Sequence, residues 1–414
     1  MKQDFSRFGL HMKQYFTWVI LGTLVGILTG VVGTAFYYCL DAATVFRQAH
    51  PWLILGLPLG GLLIVWLYRI SGRENDKGTN MVISAVREEN GISHRIVPLI
   101  FIGTILTHLF GGSAGREGAA LQMGGGIGSA VARLLRMDKR SVTTMIMCGM
   151  SGAFAALFGT PMAASIFSLE VVSVGIFYYA ALVPTVIASL VAMSIAGYFG
   201  VHAEHFTIVE IPEFSVIPAL KIMLLAMLCA AVSKLFCMLL HGMGHFFRNK
   251  FPNPYLRVTV GSVIVIALTV LVQSTDYMGA GMQIIERAIN GETRPEAFLL
   301  KMLFTSIVLS VGFKGGEIIP TLFIGATFGC FMGQLLGISP SLCAAVGMAA
   351  LFCGVTNSPI TSMLIALEMF GMDIFPYIML GVAISYMLSG YEGLYESQKI
   401  VYSKFRKKYL GNQK

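Results

Sequence analysis

Apolar stretches separated by short polar connections run along almost the whole chain. Several contain nearer 15 residues than the ~20 that an upright helix needs to cross a bilayer. The stretches cover residues 16–40, 51–69, 96–111, 119–135, 142–158, 160–199, 217–242, 256–273, 297–311, 320–338, 341–356, 358–371 and 373–389. The pattern predicts an all-α, polytopic membrane protein in which some helices are tilted or stop inside the bilayer.

Composition supports a membrane protein. Hydrophobic residues make up 56% of the chain and charged residues 12%, about half the charged share of a soluble domain. The seven cysteines lie within or beside apolar stretches and form no CxxC pair, so we expect them to pack as small apolar side chains. His241 and His245 are four residues apart but have no acidic neighbour. We therefore expect no metal site and no cofactor.

The basic residues flank the apolar stretches instead of forming one patch. The groups are Lys2, Arg7 and Lys13 near the start, Arg133, Arg136, Lys139 and Arg140 in one connection, and Lys404, Arg406, Lys407 and Lys408 near the end. The positive-inside bias assigns these segments to the cytoplasm. Both termini are thus expected inside the cell, and topology explains the net charge of +8 without nucleic-acid binding.

The chain divides into two similar halves. Residues 16–200 and 216–400 form two membrane repeats, and the polar linker at 201–215 is expected to be extracellular. Residues 1–15 read as a cytoplasmic, interfacial helix, and 401–414 as a basic cytoplasmic tail.

A motif of glycine, proline and glutamate occurs once in each half. In both copies proline follows glycine by 12 residues and glutamate follows proline by 9. The copies are Gly149, Pro161 and Glu170, and Gly347, Pro359 and Glu368. The repeat predicts a transporter whose site lies where the halves meet. We expect the two glutamates to hold the repeats together; the alternative is a role in transport.

A second repeated motif lies upstream of the first. Glu117 in GREGAA and Glu317 in GGEIIP are in register, 200 residues apart. A glycine-rich loop leads into a helix near Glu117, and the free N–H groups at such a helix start favour an anion. Gly115 and Gly118 let the backbone approach that anion. The Glu117 carboxylate can occupy the anion position itself, or bind a proton and leave; the alternative is a cap paired with Arg116.

Two further helix starts repeat this chemistry. The N–H groups of Ile318 and Ile319 would point at an anion, and Thr79 or Asn80 would cap a helix beginning near Asn80. Three helix N-termini that converge in mid-membrane would bind an anion without a full positive charge.

These motifs resemble the CLC chloride channel and transporter family. GREGA, GGEIIP and the late GLYES at 393–397 match its signature regions in order and spacing. The resemblance implies a CLC-like homodimer whose subunits each contain two inverted-topology repeats and a pathway of their own. It also implies that Glu117 is the external gating glutamate and that the Tyr395 hydroxyl reaches the central anion. The predicted anion-binding residues are Gly78, Thr79, Asn80, Met81, Arg116, Gly118, Ile318, Ile319 and Tyr395. Taken alone, Tyr395 would be an interfacial anchor in a short amphipathic helix.

Three departures from the chloride members resemble the fluoride-exporting clade. The stretch from Gly78 to Val82 lacks the serine and proline of the family's first motif, and the second-half motif contains Glu317. Val171 stands where chloride/proton exchangers usually have an inner acidic residue. That clade exchanges fluoride for a proton, which makes Glu317 the candidate second proton carrier; the alternative is a simple pair with Lys314.

The leading hypothesis is a fluoride/proton antiporter of a bacterial plasma membrane, with fluoride, protons and lipid as its partners. A chloride/proton antiporter and a passive chloride channel of the same family remain alternatives. A membrane-embedded enzyme is disfavoured because no nucleophile–base pair or metal-ligand spacing lies on the apolar stretches.

Overall fold

The computed structural model describes residues 2–74, 76–406 and 408–410, with the side chains of residues 2–8 and 10 excepted. Sixteen α-helices and two short strands occur in this part of the chain. The helices are α1 (Lys2–Ala49), α2 (Leu57–Ile70), α3 (Thr79–Arg87), α4 (Ile96–Leu109), α5 (Glu117–Leu134), α6 (Lys139–Phe158), α7 (Pro161–Glu170), α8 (Leu182–Tyr198), α9 (Val216–Lys250), α10 (Pro254–Val272), α11 (Met282–Ile289), α12 (Ala297–Val311), α13 (Ile318–Leu336), α14 (Pro340–Thr356), α15 (Pro359–Phe370) and α16 (Phe375–Leu388). The predicted all-α membrane class is confirmed.

The helices fall into two inverted-topology repeats of eight. Helices α1 to α8 correspond in order and relative length to α9 to α16. Packing follows the same rule, since α5 lies on α6 as α13 lies on α14, and α1 lies on α8 as α9 lies on α16. The repeats meet where α2 packs on α10 and where α7 packs on α15.

Many helices are too short to cross a bilayer upright. Among the described residues, seven spans are long and apolar enough to do so, and five further apolar helices have 10–17 residues. Helix α3 has 9 residues and would reach about 14 Å. Short helices place their unpaired backbone N–H groups inside the protein.

The repeated Gly149 and Gly347 allow the closest helix contacts. A Cβ on Gly149 would overlap the carbonyl of Gly124 on α5, and a Cβ on Gly347 would overlap that of Gly325 on α13. In both repeats only glycine permits the two backbones to touch, which is a common device in membrane helix packing.

The repeated glutamates cap each other's repeat. Glu170, at the end of α7, accepts bonds from the N–H groups of Ile360 (3.0 Å) and Thr361 (2.9 Å) and from the Thr361 hydroxyl (2.6 Å). Glu368, on α15, accepts bonds from the N–H groups of Met162 and Ala163, both at 2.9 Å. Each carboxylate thus satisfies the free N–H groups at the start of the other helix. The structure agrees with the expected role of both glutamates in joining the repeats.

Two details differ from the sequence-based expectations. Helix α1 runs without a break from Lys2, so the interfacial segment at 1–15 is continuous with the first span; Met1 lies outside the described residues. The apolar stretch 160–199 is divided into α7 and α8 by β1 (Ser173–Val174). As a linker should, the stretch 201–215 contains no helix or strand.

The chain folds back after the last helix. Strand β2 (Lys399–Ile400) pairs in parallel with β1, so the basic tail returns to the end of α7. Lys407 and residues 411–414 of the predicted tail lie outside the described residues.

Candidate anion and proton site

The starts of α5 and α13 meet at a backbone bridge between the repeats. The Gly115 N–H donates to the Gly316 carbonyl at 2.7 Å, and the Gly316 N–H donates to the Gly115 carbonyl at 2.9 Å. A Cβ on Gly118 would lie 2.9 Å from the Gly315 carbonyl oxygen and 3.0 Å from the Thr79 hydroxyl. The start of α3 therefore joins the other two, and three helix N-termini converge.

Glu117 occupies the centre of this junction. Its side chain is fully buried, and neither carboxylate oxygen has a hydrogen-bond partner among the described residues. The carboxylate folds back over Gly115 and lies 2.7 Å from where a Cβ on Gly316 would stand. The Ile319 N–H faces it without completing a bond of good geometry. A buried carboxylate among unused N–H groups marks a place where negative charge is accepted.

The alternative partner of Glu117 is engaged elsewhere. Arg116 pairs with Glu204 of the linker at 3.3 Å. Its guanidinium carbon lies 5.3 Å from the Tyr37 ring centre and 5.4 Å from that of Phe158. Arg116 therefore does not neutralise Glu117 by contact.

Glu317 stands at the corresponding position in the second repeat. It immediately precedes α13, is half-buried, and its Oε2 atom is buried without a partner. Lys314 does not pair with it, because the Lys314 ammonium contacts Asp76 at 3.0 Å and lies 4.0 Å from the Tyr68 ring centre. Glu317 and Glu117 are close enough to interact electrostatically.

Tyr395 reaches the same region from the end of the chain. It is 4% exposed, its hydroxyl has no hydrogen-bond partner among the described residues, and it lies within electrostatic range of both Glu117 and Glu317. The segment around it is a turn instead of the expected amphipathic helix. Burial excludes the interfacial-anchor alternative for Tyr395.

Asn80 positions this last segment. Its Oδ1 accepts a bond from the Ser397 N–H at 2.9 Å, and the Ser84 hydroxyl donates to the Ser397 hydroxyl at 2.9 Å. Asn80 therefore acts two residues from Tyr395 and offers its side-chain oxygen to the backbone. The cap of α3 is Gly78, at φ +59°, with no side-chain bond, so the predicted cap by Thr79 or Asn80 is wrong.

The other predicted residues occupy different surroundings. Ile318 and Ile319 are buried at the start of α13, and Thr79 is buried with its hydroxyl directed at Gly118. Met81 is half-buried and lines a cavity of about 570 Å³ next to α3. Val171 is buried and caps α7 without any acidic group.

Sequence reasoning missed two buried cations near the junction. Arg47 is 8% exposed and Lys301 is fully buried. The position of this lysine within the apolar stretch 297–311 could have indicated a functional residue, because charges at that depth are costly and seldom without a role. No group of three potential metal ligands occurs in the described residues.

Two repeats of broken helices around a partnerless carboxylate define a membrane protein for anion transport. The family described as "Voltage gated chloride channel" matches residues 60–390. The chain therefore belongs to this family, whose members are transporters and channels and not enzymes.

Known relatives and solved structures extend the likeness over nearly the whole chain. A "Chloride/fluoride channel protein" of Pseudomonas syringae pv. tomato is 34% identical over 394 residues, covering 94% of this chain and 87% of the relative. The crystal structure of a CLC-type fluoride/proton antiporter superposes with a TM-score of 0.90 at 32% identity, covering 93% of this chain and 98% of that one. An "H(+)/Cl(-) exchange transporter ClcA" of Vibrio vulnificus is 27% identical, covering 89% and 85% of the two chains.

Proposed function

We propose that this protein exports fluoride in exchange for protons across a bacterial plasma membrane. The observation that carries the proposal is the pair of carboxylates, Glu117 and Glu317, that start equivalent helices and lack partners for buried oxygens. The relative named for chloride and fluoride and the structural neighbour titled a fluoride/proton antiporter support the choice of fluoride.

Glu117 is the gate and the main proton carrier. In its charged form the carboxylate fills the anion position at the start of α5, where N–H groups attract negative charge. When the carboxylate binds a proton it loses that attraction and leaves the position to the anion. Anion and proton thus alternate at one place, which couples their opposite movements.

Glu317 takes over the inner part of the proton route. Val171 offers no proton-carrying group, so the route through that position is closed. Glu317 lies within electrostatic range of Glu117, and its partnerless oxygen can bind a proton. Its location at the start of the matching helix makes it the nearest replacement for the missing acid.

The anion site suits a small and strongly hydrated ion. Fluoride needs short hydrogen bonds to replace its water. The Thr79 hydroxyl, the N–H groups of Ile318 and Ile319 and the unused Tyr395 hydroxyl supply donors from three directions. Chloride is larger and gains less from such close donors.

The experiment is anion efflux from liposomes containing the purified protein, with fluoride and chloride electrodes read in parallel. The proposal expects fluoride to leave faster than chloride under matched gradients. Chloride efflux equal to or faster than fluoride efflux would favour the chloride/proton antiporter or the passive channel.

The protein is expected to work as a homodimer with both termini in the cytoplasm. The basic flanks support this orientation through the positive-inside bias. Helix α1 then ends on the outer side of the membrane, and the linker that carries Glu204 lies on the same side.

A further inference from the structure

A group of basic side chains lies near Glu117, at the C-terminal end of α1. Arg47 comes from α1, His108 from α4 and Lys301 from α12; all three are at most 8% exposed. His108 is within electrostatic range of Arg47, Lys301 and Arg116. Three buried basic groups from three helices thus share one region, and the half-buried Arg116 lies nearby.

Lys301 has no acidic partner in the described residues. Its ammonium donates to the carbonyls of Gly279 (2.7 Å) and Tyr277 (3.3 Å) and lies 5.1 Å from the Phe323 ring centre. An ammonium has three N–H groups, so one donor is left over. The carboxylate in electrostatic range of Lys301 is that of Glu117.

The Nη1 atom of the Arg47 guanidinium is completely buried and has no hydrogen-bond partner among the described residues. A guanidinium carries five N–H donors and stays charged, so burial without any acceptor is costly. The loop beside it leaves just enough room for the group. A Cβ on Gly279, which has φ +58°, would lie 2.9 Å from Nη1.

The surrounding acids do not balance these charges. Glu204 forms a salt bridge with Arg116, and Asp276 forms one with Arg287. Glu296 is exposed at the start of α12. When Glu117 binds a proton, these buried cations lose the one nearby counter-charge, which is costly, and a small anion would offset that cost.

The region is connected to the junction by the backbone. The Gly279 N–H donates to the Gly112 carbonyl at 3.1 Å, and Gly112 lies three residues before the Gly115–Gly316 bridge. The Ser113 hydroxyl contacts that of Thr305 on α12 at 3.0 Å. The loop that carries Gly112 and Gly115 therefore joins the region of Arg47 and Lys301 to the junction around Glu117.

We propose that Arg47 and Lys301 form a second anion-binding site, which takes a small inorganic anion next to Glu117. The guanidinium supplies free donors and the ammonium supplies one more. Given the transport activity proposed above, on which the identity of the ion rests, the site holds fluoride on the outer side of the gate. It draws the ion away from the position to which the Glu117 carboxylate returns.

The test uses Lys301→Met, which keeps the length of the side chain, and Arg47→Gln. We expect the fluoride concentration that half-saturates exchange to rise at least about tenfold in either variant, as for the loss of a hydrogen bond to a charged group. The number of protons moved per fluoride should not change, because Glu117 is intact. Arg47→Lys should recover part of the affinity.

The control is Arg294→Gln, which removes an exposed charge just before α12. It should behave as the wild type. Stabilisation of the detergent-solubilised protein by sodium fluoride, compared with sodium gluconate at equal ionic strength, gives a binding readout without transport. We expect the stabilisation to shrink in Lys301→Met.

The site is refuted if Lys301→Met, or Arg47→Gln where it folds, keeps the wild-type fluoride dependence in both assays. Failure of the proposed function looks different. In that case the wild type would not exchange fluoride for protons, while sodium chloride in place of sodium fluoride would still stabilise the wild type more than Lys301→Met.

Discussion

The crossed carboxylates Glu170 and Glu368 give the sharpest prediction about stability. Glu170→Gln keeps the shape of the side chain but turns one oxygen into a donor that faces an N–H group. The smallest possible loss is the single bond from Ile360, since Thr361 donates twice to the other oxygen. One hydrogen bond to a charged group contributes ~1.5–3 kcal/mol, and the charge at a partly buried helix start adds up to ~2 kcal/mol.

We therefore expect Glu170→Gln to lower the free energy of unfolding by about 3 kcal/mol. Glu368 accepts two bonds and is half-buried, so Glu368→Gln should cost about 1–2 kcal/mol. The assay is denaturant unfolding in detergent, followed by helical circular dichroism. Glu210→Gln, an exposed linker position, is the control and should unfold like the wild type.

Two results would refute this reasoning. One is an unfolding midpoint of Glu170→Gln equal to that of the control. The other is a Glu170→Gln variant that is as stable as the wild type but no longer couples anion and proton movement. Glu170 would then take part in transport instead of joining the two repeats.

Three predictions concern the transport site. Glu117→Gln should remove proton coupling, because an amide cannot carry the proton; proton uptake driven by a fluoride gradient checks this, and wild-type coupling would contradict it. Glu317→Gln should slow or uncouple exchange, while size-exclusion chromatography shows a particle of unchanged size. If this variant exchanges fluoride for protons at the wild-type rate, Glu117 acts alone. Asn80→Ala should loosen the segment before Ser397 at a cost of about 1 kcal/mol and lower the turnover without changing the proton-to-fluoride ratio. A changed ratio would show that Asn80 acts on the proton route.

Much of the fold was predictable because short-range patterns in the sequence determine it. Apolar length indicated membrane helices, and the equal spacing of glycine, proline and glutamate in both halves indicated two related repeats. The helix starts at Glu117 and Ile318 follow from glycine-rich loops that precede apolar segments. These features depend on residues near each other in the sequence.

Long-range contacts could not be derived in the same way. Arg116 adjoins Glu117 in sequence, yet it pairs with Glu204, 88 residues away. Asn80 resembles a helix cap, but it accepts a bond from Ser397 after the chain has returned across the whole protein. The buried position of Arg47 depends on the loop around Gly279, which no local pattern describes.

Coupled exchange of fluoride for protons is tested most directly by measuring proton movement that is driven by a fluoride gradient alone. Liposomes that contain the wild-type protein are loaded with fluoride and diluted into fluoride-free buffer, at equal pH on both sides and with the membrane voltage clamped at zero. Fluoride/proton antiport predicts that protons enter as fluoride leaves and that the interior becomes more acidic than the bath. Fluoride efflux without proton entry would contradict it and identify a passive anion pathway.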